Sequence, residues 1–403
     1  MKVAIIGAGA AGCFCAVNLR RLLPAVQIDV YESGQRPLQK VAVTGGGRCN
    51  LTNTFADVRS LSQVYPRGSQ LMKRLLRRFD QRQTMQWFEA EGVRLVVQDD
   101  QCVFPQSQDA MQIVSTLLRG MQGVRILCRH RVTALPEGYD AIVVTTGGSP
   151  RQSGLSFLSS LSLDIVPPVP SLFAFTVADT TPLTPLSDLM GTVVASATVG
   201  LAGTKLKAEG TLLITHWGLS GPAILRLSSY AARWLAERSY QATLCVNWMA
   251  GRDEQNVRQE LSQLLADNGS KHISSLRPLT ERHWRYLLQK VGIAPDRRCA
   301  EIGSKQLNRL ASVLVCDTYQ VTGKNPHREE FVTCGGVALT NINPNTLECV
   351  RHPGIYFAGE VLDVDAVTGG FNLQAAWTMG RVVAESICQN ATRCASNASQ
   401  NDK

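Results

Sequence analysis

The sequence predicts an α/β fold carried by a buried parallel sheet, and three stretches predict it. The first is the apolar run Val3-Ala4-Ile5-Ile6 feeding into Gly7-Ala8-Gly9-Ala10-Ala11-Gly12 and a helix-compatible segment over 13–23. The second is Ala141-Ile142-Val143-Val144-Thr145-Thr146-Gly147-Gly148, apolar throughout and then broken by glycines, as a strand buried on both faces reads. The third is Ile355-Tyr356-Phe357-Ala358-Gly359-Glu360, followed by Thr368-Gly369-Gly370-Phe371-Asn372-Leu373-Gln374, a strand and then a glycine loop that opens a helix. Between the second and third, 172–199 and 241–248 alternate like antiparallel strands.

Each glycine of the first stretch has a task. Gly7 permits the tight turn, Gly9 leaves bare backbone against a pyrophosphate, and Gly12 lets the helix pack close to its strand. The first N–H groups of that helix, at Ala10 and Ala11, then face the phosphates with the helix dipole behind them. A second strand over 27–31 ends in Glu32, twenty positions after Gly12, where a carboxylate meets the ribose hydroxyls of an adenine dinucleotide. Ser33 and Lys40 are read with it as cofactor-side residues. The plain alternative is a tight turn in an α/β protein that binds nothing. Lys2 and the apolar run ending Ala11-Gly12-Cys13 also have the outline of a lipoprotein signal. Cleavage there would remove the first strand and all three glycines, so a cytoplasmic protein is expected.

A chain of 403 residues with 44% hydrophobic content has material for two or three units, and no apolar run reaches the length that spans a bilayer. Its 12 cysteines are scattered, several inside apolar runs (Cys128, Cys245, Cys316), with Cys13-x-Cys15 but no CxxC. Reduced thiols are expected, with neither a zinc ribbon nor a redox pair. The net charge of +9 suits an anionic cofactor as well as nucleic acid. Lys73, Arg74, Arg77, Arg78 and Arg82 fall at helical spacing between Leu71, Leu75, Leu76 and Phe79, the pattern of a solvated helix face. A small-molecule partner is therefore expected ahead of nucleic acid, with RNA contact as the alternative use of that face.

Along the chain, Thr44-Gly45-Gly46-Gly47-Arg48-Cys49-Asn50-Leu51-Thr52-Asn53 is too glycine-rich for regular structure. It is either a surface linker or a clamp on a flat heteroaromatic ring, for which Arg48, Asn50 and the bare backbone supply donors. Residues 70–91 read as one amphipathic helix ending at Gly92. Next come a hairpin around Asp99-Asp100, a helix over 109–119 capped by Ser107, and two short strands over 124–128 and 129–134. Val132 is a candidate for the adenine edge, and Thr146 and Gly147 stand at the carboxyl end of the apolar strand, where ligands bind in such sheets. Pro150, Pro167, Pro168 and Pro170 mark a boundary. In Thr215-His216-Trp217-Gly218-Leu219-Ser220-Gly221-Pro222 a strand ends, a helix starts at Pro222, and His216 is exposed by the turn, either as an acid or base or as a structural residue.

Glu360, Asp363 and Asp365 lack His partners for a metal and are read as acceptors for sugar or ribitol hydroxyls. The expected division is 1–160 and 335–390 for the cofactor domain, 161–250 and 316–334 for a barrel-like insert, 251–315 for a helical insertion and 391–403 for a polar tail. Two glycine sites at opposite ends of one chain, with a single GxGxxG, favour one long dinucleotide, FAD rather than resident NAD. NAD(P)H remains a transient electron donor, which makes an NAD(P)H-linked reductase the expected activity and an oxygen-using amine oxidase its alternative.

These glycine motifs, with Thr44 to Asn53, Thr215 to Pro222 and Gly359 to Gln374, resemble the bacterial flavoproteins of the aminoacetone-oxidase and bile-acid-reductase-like group, over residues 1–386. The resemblance implies a glutathione-reductase-type FAD domain made by both chain ends, and a β-barrel domain with a helical insertion between them. It implies Glu32 on the adenosine ribose, Gly45, Gly46, Gly47, Arg48, Cys49 and Asn50 near the flavin, and Gly370, Phe371, Asn372 and Leu373 at the ring's pyrimidine side. Thr44 departs from a usual Ser, and Ala366 from a common Gly. Cys49, the thiol placed nearest the flavin, joins His216 as a candidate catalytic residue.

Overall fold

In the computed structural model, which describes residues 1–149, 152–178, 185–325 and 332–401, Lys2–Ile6 forms strand β1. It pairs in parallel with β2 (Gln27–Tyr31) on one side. β3 (Arg125–Leu127) follows outside β2, β4 (Ala141–Val144) lies on the other side of β1, and β5 (Ile355–Phe357) lies outside β4, giving the parallel order β5-β4-β1-β2-β3. Val3, Ala4, Ile5, Val143 and Val144 are fully buried or nearly so, which is why these strands read as unbroken apolar runs. Helix α1 (Ala10–Leu22) packs against the last helix, α3 (Phe371–Asn401), and Gly380 makes the approach possible: a Cβ there would sit 2.6 Å from the Ala11 carbonyl oxygen. Phe14, Trp87, Phe88 and Trp377 close the space beside these helices, with ring centroids 4.7–5.5 Å apart for Phe14–Trp87, Phe14–Trp377 and Phe88–Trp377.

The chain forms two compact units, 1–169 with 332–403, and 170–331. Ile165–Ser171 pairs with Val332–Val337 in a two-stranded sheet of its own. The second unit holds a closed six-stranded barrel of Phe175–Val177, Val193–Leu201, Lys207–Thr215, Gly218–Ser220, Ala242–Asn247 and Asp317–Lys324. The helices Glu254–Asp267, Glu281–Lys290 and Ser304–Val315 stand between its last two strands. Among the described residues, no helix is long and apolar enough to cross a membrane.

Several local expectations are corrected. The segment 70–91 is two helices, Ser69–Leu75 and Gln81–Ala90, because Asp80 caps the second: its side chain accepts from Gln83 N at 2.9 Å while Gln83 Oε1 accepts from Asp80 N at 2.9 Å. Asp109, not Ser107, caps Ala110–Gly120, accepting from Met111 N at 2.8 Å. No strand forms over 129–134, where Arg129 turns at φ +56° directly after β3. The polar tail expected over 391–403 is helical as far as Asn401, as the end of α3. One cysteine pair is also not reduced: Cys245, on Ala242–Asn247, is bonded to Cys316, just ahead of the paired strand Asp317–Lys324, with Cα atoms 5.2 Å apart.

The barrel unit buries a charge cluster. Asp317, 1% exposed, accepts from Trp248 Nε1 (3.1 Å), Tyr319 Oη (2.5 Å) and Lys290 Nζ (2.5 Å). Beside it His283, also 1% exposed, lies edge-on to Trp248 with its Nε2 unpartnered. Burial, with help from the Lys290 charge, lowers the imidazole pKa to about 4. A depressed folded value means the unfolded chain binds the proton first. The contribution is therefore whole above about pH 6.5, falls progressively below it, and is lost as pH drops through about 4. Thermal unfolding between pH 7.5 and 4 should show the second unit losing about 3 kcal/mol from this group. His283→Leu should flatten that slope; an unchanged slope would assign it elsewhere.

Candidate functional site

The first unit builds its site from glycines whose surroundings differ. At Gly7 (φ +108°) a Cβ would lie 2.3 Å from the Thr145 carbonyl oxygen, so the turn out of β1 presses on the end of β4. At Gly12 it would lie 2.0 Å from the Gly7 carbonyl oxygen and 2.5 Å from Thr145 Oγ1, which itself donates to Gly7 O at 2.8 Å. Gly9 is the opposite case. Its backbone is extended, it heads α1 without a side-chain cap, and an added Cβ would meet nothing within 4 Å. The N–H groups of Ala10, Ala11 and Gly12 have no partner within the helix and stand around that opening. An uncapped helix start beside bare backbone is what a pyrophosphate fits.

Glu32, at the end of β2, accepts from Ala8 N (2.9 Å) through Oε2 and from Gly34 N (2.6 Å) through Oε1, with Ser33 Oγ at 3.4 Å. Its carboxylate is thereby fixed beside the glycine turn. Thr146 is exposed and Gly147 (φ +74°) faces open space at the end of β4. Val132 is half-buried in the irregular chain after β3, and Lys40 is exposed on α2 (Gln39–Gly47).

The C-terminal residues come to the same place. A Cβ on Gly359 (φ +81°) would lie 3.0 Å from Ala11 Cβ, so the turn after β5 sits against the first turn of α1. Glu360 accepts from Thr333 N at 2.6 Å. Burial raises its carboxyl pKa, against the pull of Lys40 and the N–H groups of Thr333 and Gly148.

Helix α2 breaks where the glycine run begins. Thr44 is extended (ψ 148°), Gly45, Gly46 and Gly47 all take positive φ, and Cys49 N closes the turn on Thr44 O at 2.9 Å. The stretch is thus a fixed turn, and Gly46 and Gly47 face open space. Arg48 donates to Gly45 O and lays its guanidinium 4.6 Å over the Phe104 ring. Cys49 is fully buried at φ +61°, and burial pushes its thiol up to about 12. It is a neutral thiol with the chemistry of a packed residue.

Asn50 then reaches the other chain end: its amide donates to Thr52 O (3.0 Å) and accepts from Gly370 N (3.3 Å). Gly369 and Gly370 carry φ of +126° and +86° into α3. Asn372 ties the approach by accepting from Ala366 N and donating to Ala366 O, both at 2.9 Å, and Leu373 is half-buried beside it. Gln374 accepts from Thr52 Oγ1 (2.6 Å), and Trp377 Nε1 donates to Leu51 O (3.0 Å). A second helix start is therefore held against the turn that follows α2.

Sequence reasoning missed the support of this second cradle. Val64 O accepts from Val367 N, Tyr65 Oη donates to Phe371 O (both 2.9 Å), and Arg67 forms a two-pronged ion pair with Asp365. A turn at Tyr65-Pro66-Arg67-Gly68 is readable, but partners some 300 positions away are not. Asp363 is half-buried, its N–H on Val337 O. His216 stands in the second unit, exposed in the turn between Lys207–Thr215 and Gly218–Ser220, its ring edge-on to Trp217 at 4.2 Å.

The residues of the first unit fit FAD: two glycine-lined helix starts, a fixed acid at Glu32 and a half-buried acid at Glu360, joined through the Ala11–Gly359 contact. A family described as the HI0933-like protein Rossmann domain matches residues 1–386. A ribosomal RNA dihydrouridine synthase of Escherichia coli is 28% identical over 95% of this chain and 97% of its own, and one of Haemophilus influenzae is 28% identical over the same shares. A 3-dehydro-bile acid delta(4,6)-reductase of Clostridium scindens is 24% identical over 96% of this chain and 99% of its own.

Proposed function

This chain belongs to the HI0933-like family and is an FAD-dependent oxidoreductase, and from that premise we propose that it is an NAD(P)H-linked reductase of a carbon–carbon double bond conjugated to a carbonyl. The observation that carries the reading is the α3 start, which follows Gly369 and Gly370 at positive φ and holds no acid in its first turn. Such a start stabilises negative charge. The relatives' names support the acceptor, since a dihydrouridine synthase and a delta(4,6)-reductase both imply hydrogen added across such a bond.

Bound FAD supplies the two-electron chemistry. Glu32 orients the adenosine ribose, the Ala10–Gly12 amides hold the pyrophosphate, and Glu360 offers its carboxyl to a ribitol hydroxyl. Asn50 holds the Gly370 amide and Asn372 holds Ala366 ahead of it, so the α3 donors need no rearrangement during reaction. Cys49, fully buried, closes the turn through its N–H on Thr44 O. His216 is retained as a candidate acid or base of the second unit.

Anaerobic addition of NADPH or NADH to the yellow protein is expected to bleach its visible bands, and a conjugated enone should restore them. A protein that stays yellow but forms peroxide with an amine would replace this reading by the oxidase one. A colourless protein that resists loading with FAD would end both.

A nucleobase within RNA is a second candidate acceptor. The two synthase-named relatives and the net charge of +9 favour it. Of the basic cluster, Arg78 is tied to Glu385 at 2.7 Å and Arg74 to Asn345, while Lys73, Arg77 and Arg82 are exposed. Binding of ribosomal RNA fragments that weakens steeply with salt would support this acceptor; no binding at low salt would dismiss it.

A further inference from the structure

We propose that the Cys245–Cys316 bond is a reversible redox staple at the neck of the helical insertion: oxidised, it restrains the insertion, and reduced by a small dithiol, it lets the insertion helices open while the barrel keeps its fold. The inference concerns the second unit alone and rests on neither FAD binding nor the identity of the acceptor.

The bond sits where the insertion leaves and rejoins the barrel. Cys245 lies on Ala242–Asn247, and Cys316 stands between the helix Ser304–Val315 and the strand Asp317–Lys324. Across their separation of 71 positions run the helices Glu254–Asp267, Glu281–Lys290 and Ser304–Val315. A cross-link restrains chiefly the opened states of the chain it closes, and more as the closed loop lengthens. Breaking this one therefore favours opening of the insertion and leaves the barrel's own hydrogen bonds in place. Other contacts hold the neck once the bond is gone. Asp317 stays in register with Val246, Trp248 N donates to Leu314 O at 2.8 Å, and Lys290 Nζ reaches Asp317 at 2.5 Å. They keep the two thiols neighbours, so the bond re-forms in place.

The bond is also within reach of solvent. Cys316 is exposed and Cys245 half-buried, whereas among the described free cysteines all but Cys128 and Cys388 are buried. Access of this kind marks a disulfide that exchanges with thiols. A thiolate of the dithiol attacks the exposed Cys316 Sγ, breaks the S–S bond and releases Cys245 as a thiolate, which takes up a proton. The donor's second thiolate then attacks the donor sulfur of the mixed disulfide and releases Cys316, which is protonated in turn. The cysteine pair has gained two electrons and two protons, and the donor leaves as a cyclic disulfide.

Full-length protein purified without reductant would have its free thiols blocked and be digested, and mass spectrometry is expected to find peptides linked through Cys245 and Cys316. Hydrogen–deuterium exchange of the undigested protein would then be followed before and after treatment with dithiothreitol. Amides of the three insertion helices should exchange at least about tenfold faster after reduction. Those of the barrel strands Val193–Leu201 and Lys207–Thr215 should keep their rates. Replacing dithiothreitol by oxidised glutathione should restore slow exchange. The double variant Cys245→Ser/Cys316→Ser should exchange as the reduced parent does and ignore dithiothreitol; a variant that still responds places the effect at another thiol and overturns the proposal. Absence of the linked peptides, no acceleration, acceleration spread equally over the barrel strands, or failure to recover on reoxidation overturns it as well. If the double variant does not fold, the reduced and reoxidised parent decides alone.

Discussion

Gly9→Val is expected to give a folded protein without flavin, whereas Gly12→Val is expected to give neither. Both glycines belong to one motif, yet their neighbourhoods separate cofactor space from packing space. At Gly12 the nearest atoms to a Cβ are the Gly7 carbonyl oxygen at 2.0 Å and Thr145 Oγ1 at 2.5 Å, in the contact between α1 and the ends of β1 and β4. Backbone there cannot give without moving the sheet, and valine adds two further methyls. Overpacking of this kind costs about 1–3 kcal/mol or more. Gly9 has ordinary extended φ and ψ, and nothing of the protein lies within 4 Å of its added Cβ. Valine there meets only what binds in the opening. A loss of at least about 3 kcal/mol of cofactor affinity, a hundredfold or more, is expected with the melting temperature of the cofactor-free protein unchanged. Visible absorbance per protein, set beside thermal unfolding, reads both quantities. A Gly9→Val protein that purifies fully loaded would show that the pyrophosphate does not lie over this turn.

The same contrast explains what was legible in the sequence. Glycine runs punctuate apolar strands, so β1, β4 and β5 and the helices they feed stand out from local residues alone. Tertiary pairing does not. Leu71, Leu75, Leu76 and Phe79 keep a helical spacing straight across the break at 76–80, and that spacing hid the stop, although Asp80-x-x-Gln83 is a readable capping box. Apolar surroundings suggested reduced thiols at Cys245 and Cys316, which strand pairing brings together across 71 positions. Arg67 and Asp365 are 298 apart, and nothing near either announces the other. The candidate site was thus readable where one segment meets the cofactor and opaque where two segments hold each other.

Gly370→Ala tests one of those opaque contacts and is expected to weaken FAD binding about thirtyfold, roughly 2 kcal/mol. Two costs combine at this position. The φ of +86° is one that an L side chain adopts at a cost of about 1–2 kcal/mol. The Cβ would also lie 2.4 Å from Thr52 O and 2.5 Å from Thr52 C, both backbone atoms, and 2.8 Å from the Asn50 side-chain amide. Neighbouring Gly369 offers a gentler case, since its Cβ would meet the Phe371 ring edge at 2.9 Å, and a side chain swings aside where a carbonyl does not. Relief at Gly370 requires the α3 start to lift away from Thr52. That movement turns the Gly370 N–H from Asn50 and carries the donors of the first turn off the ring. Gly92→Ala separates the two costs: its φ of +83° is nearly the same, and nothing lies within 4 Å of the added Cβ. It should lose stability from strain alone and bind FAD as the parent does. Quenching of FAD fluorescence by cofactor-stripped protein gives the dissociation constants. If Gly370→Ala binds FAD as tightly as Gly92→Ala, the contact with Thr52 does not place the cradle, and the α3 donors take their direction from the 64–68 side alone.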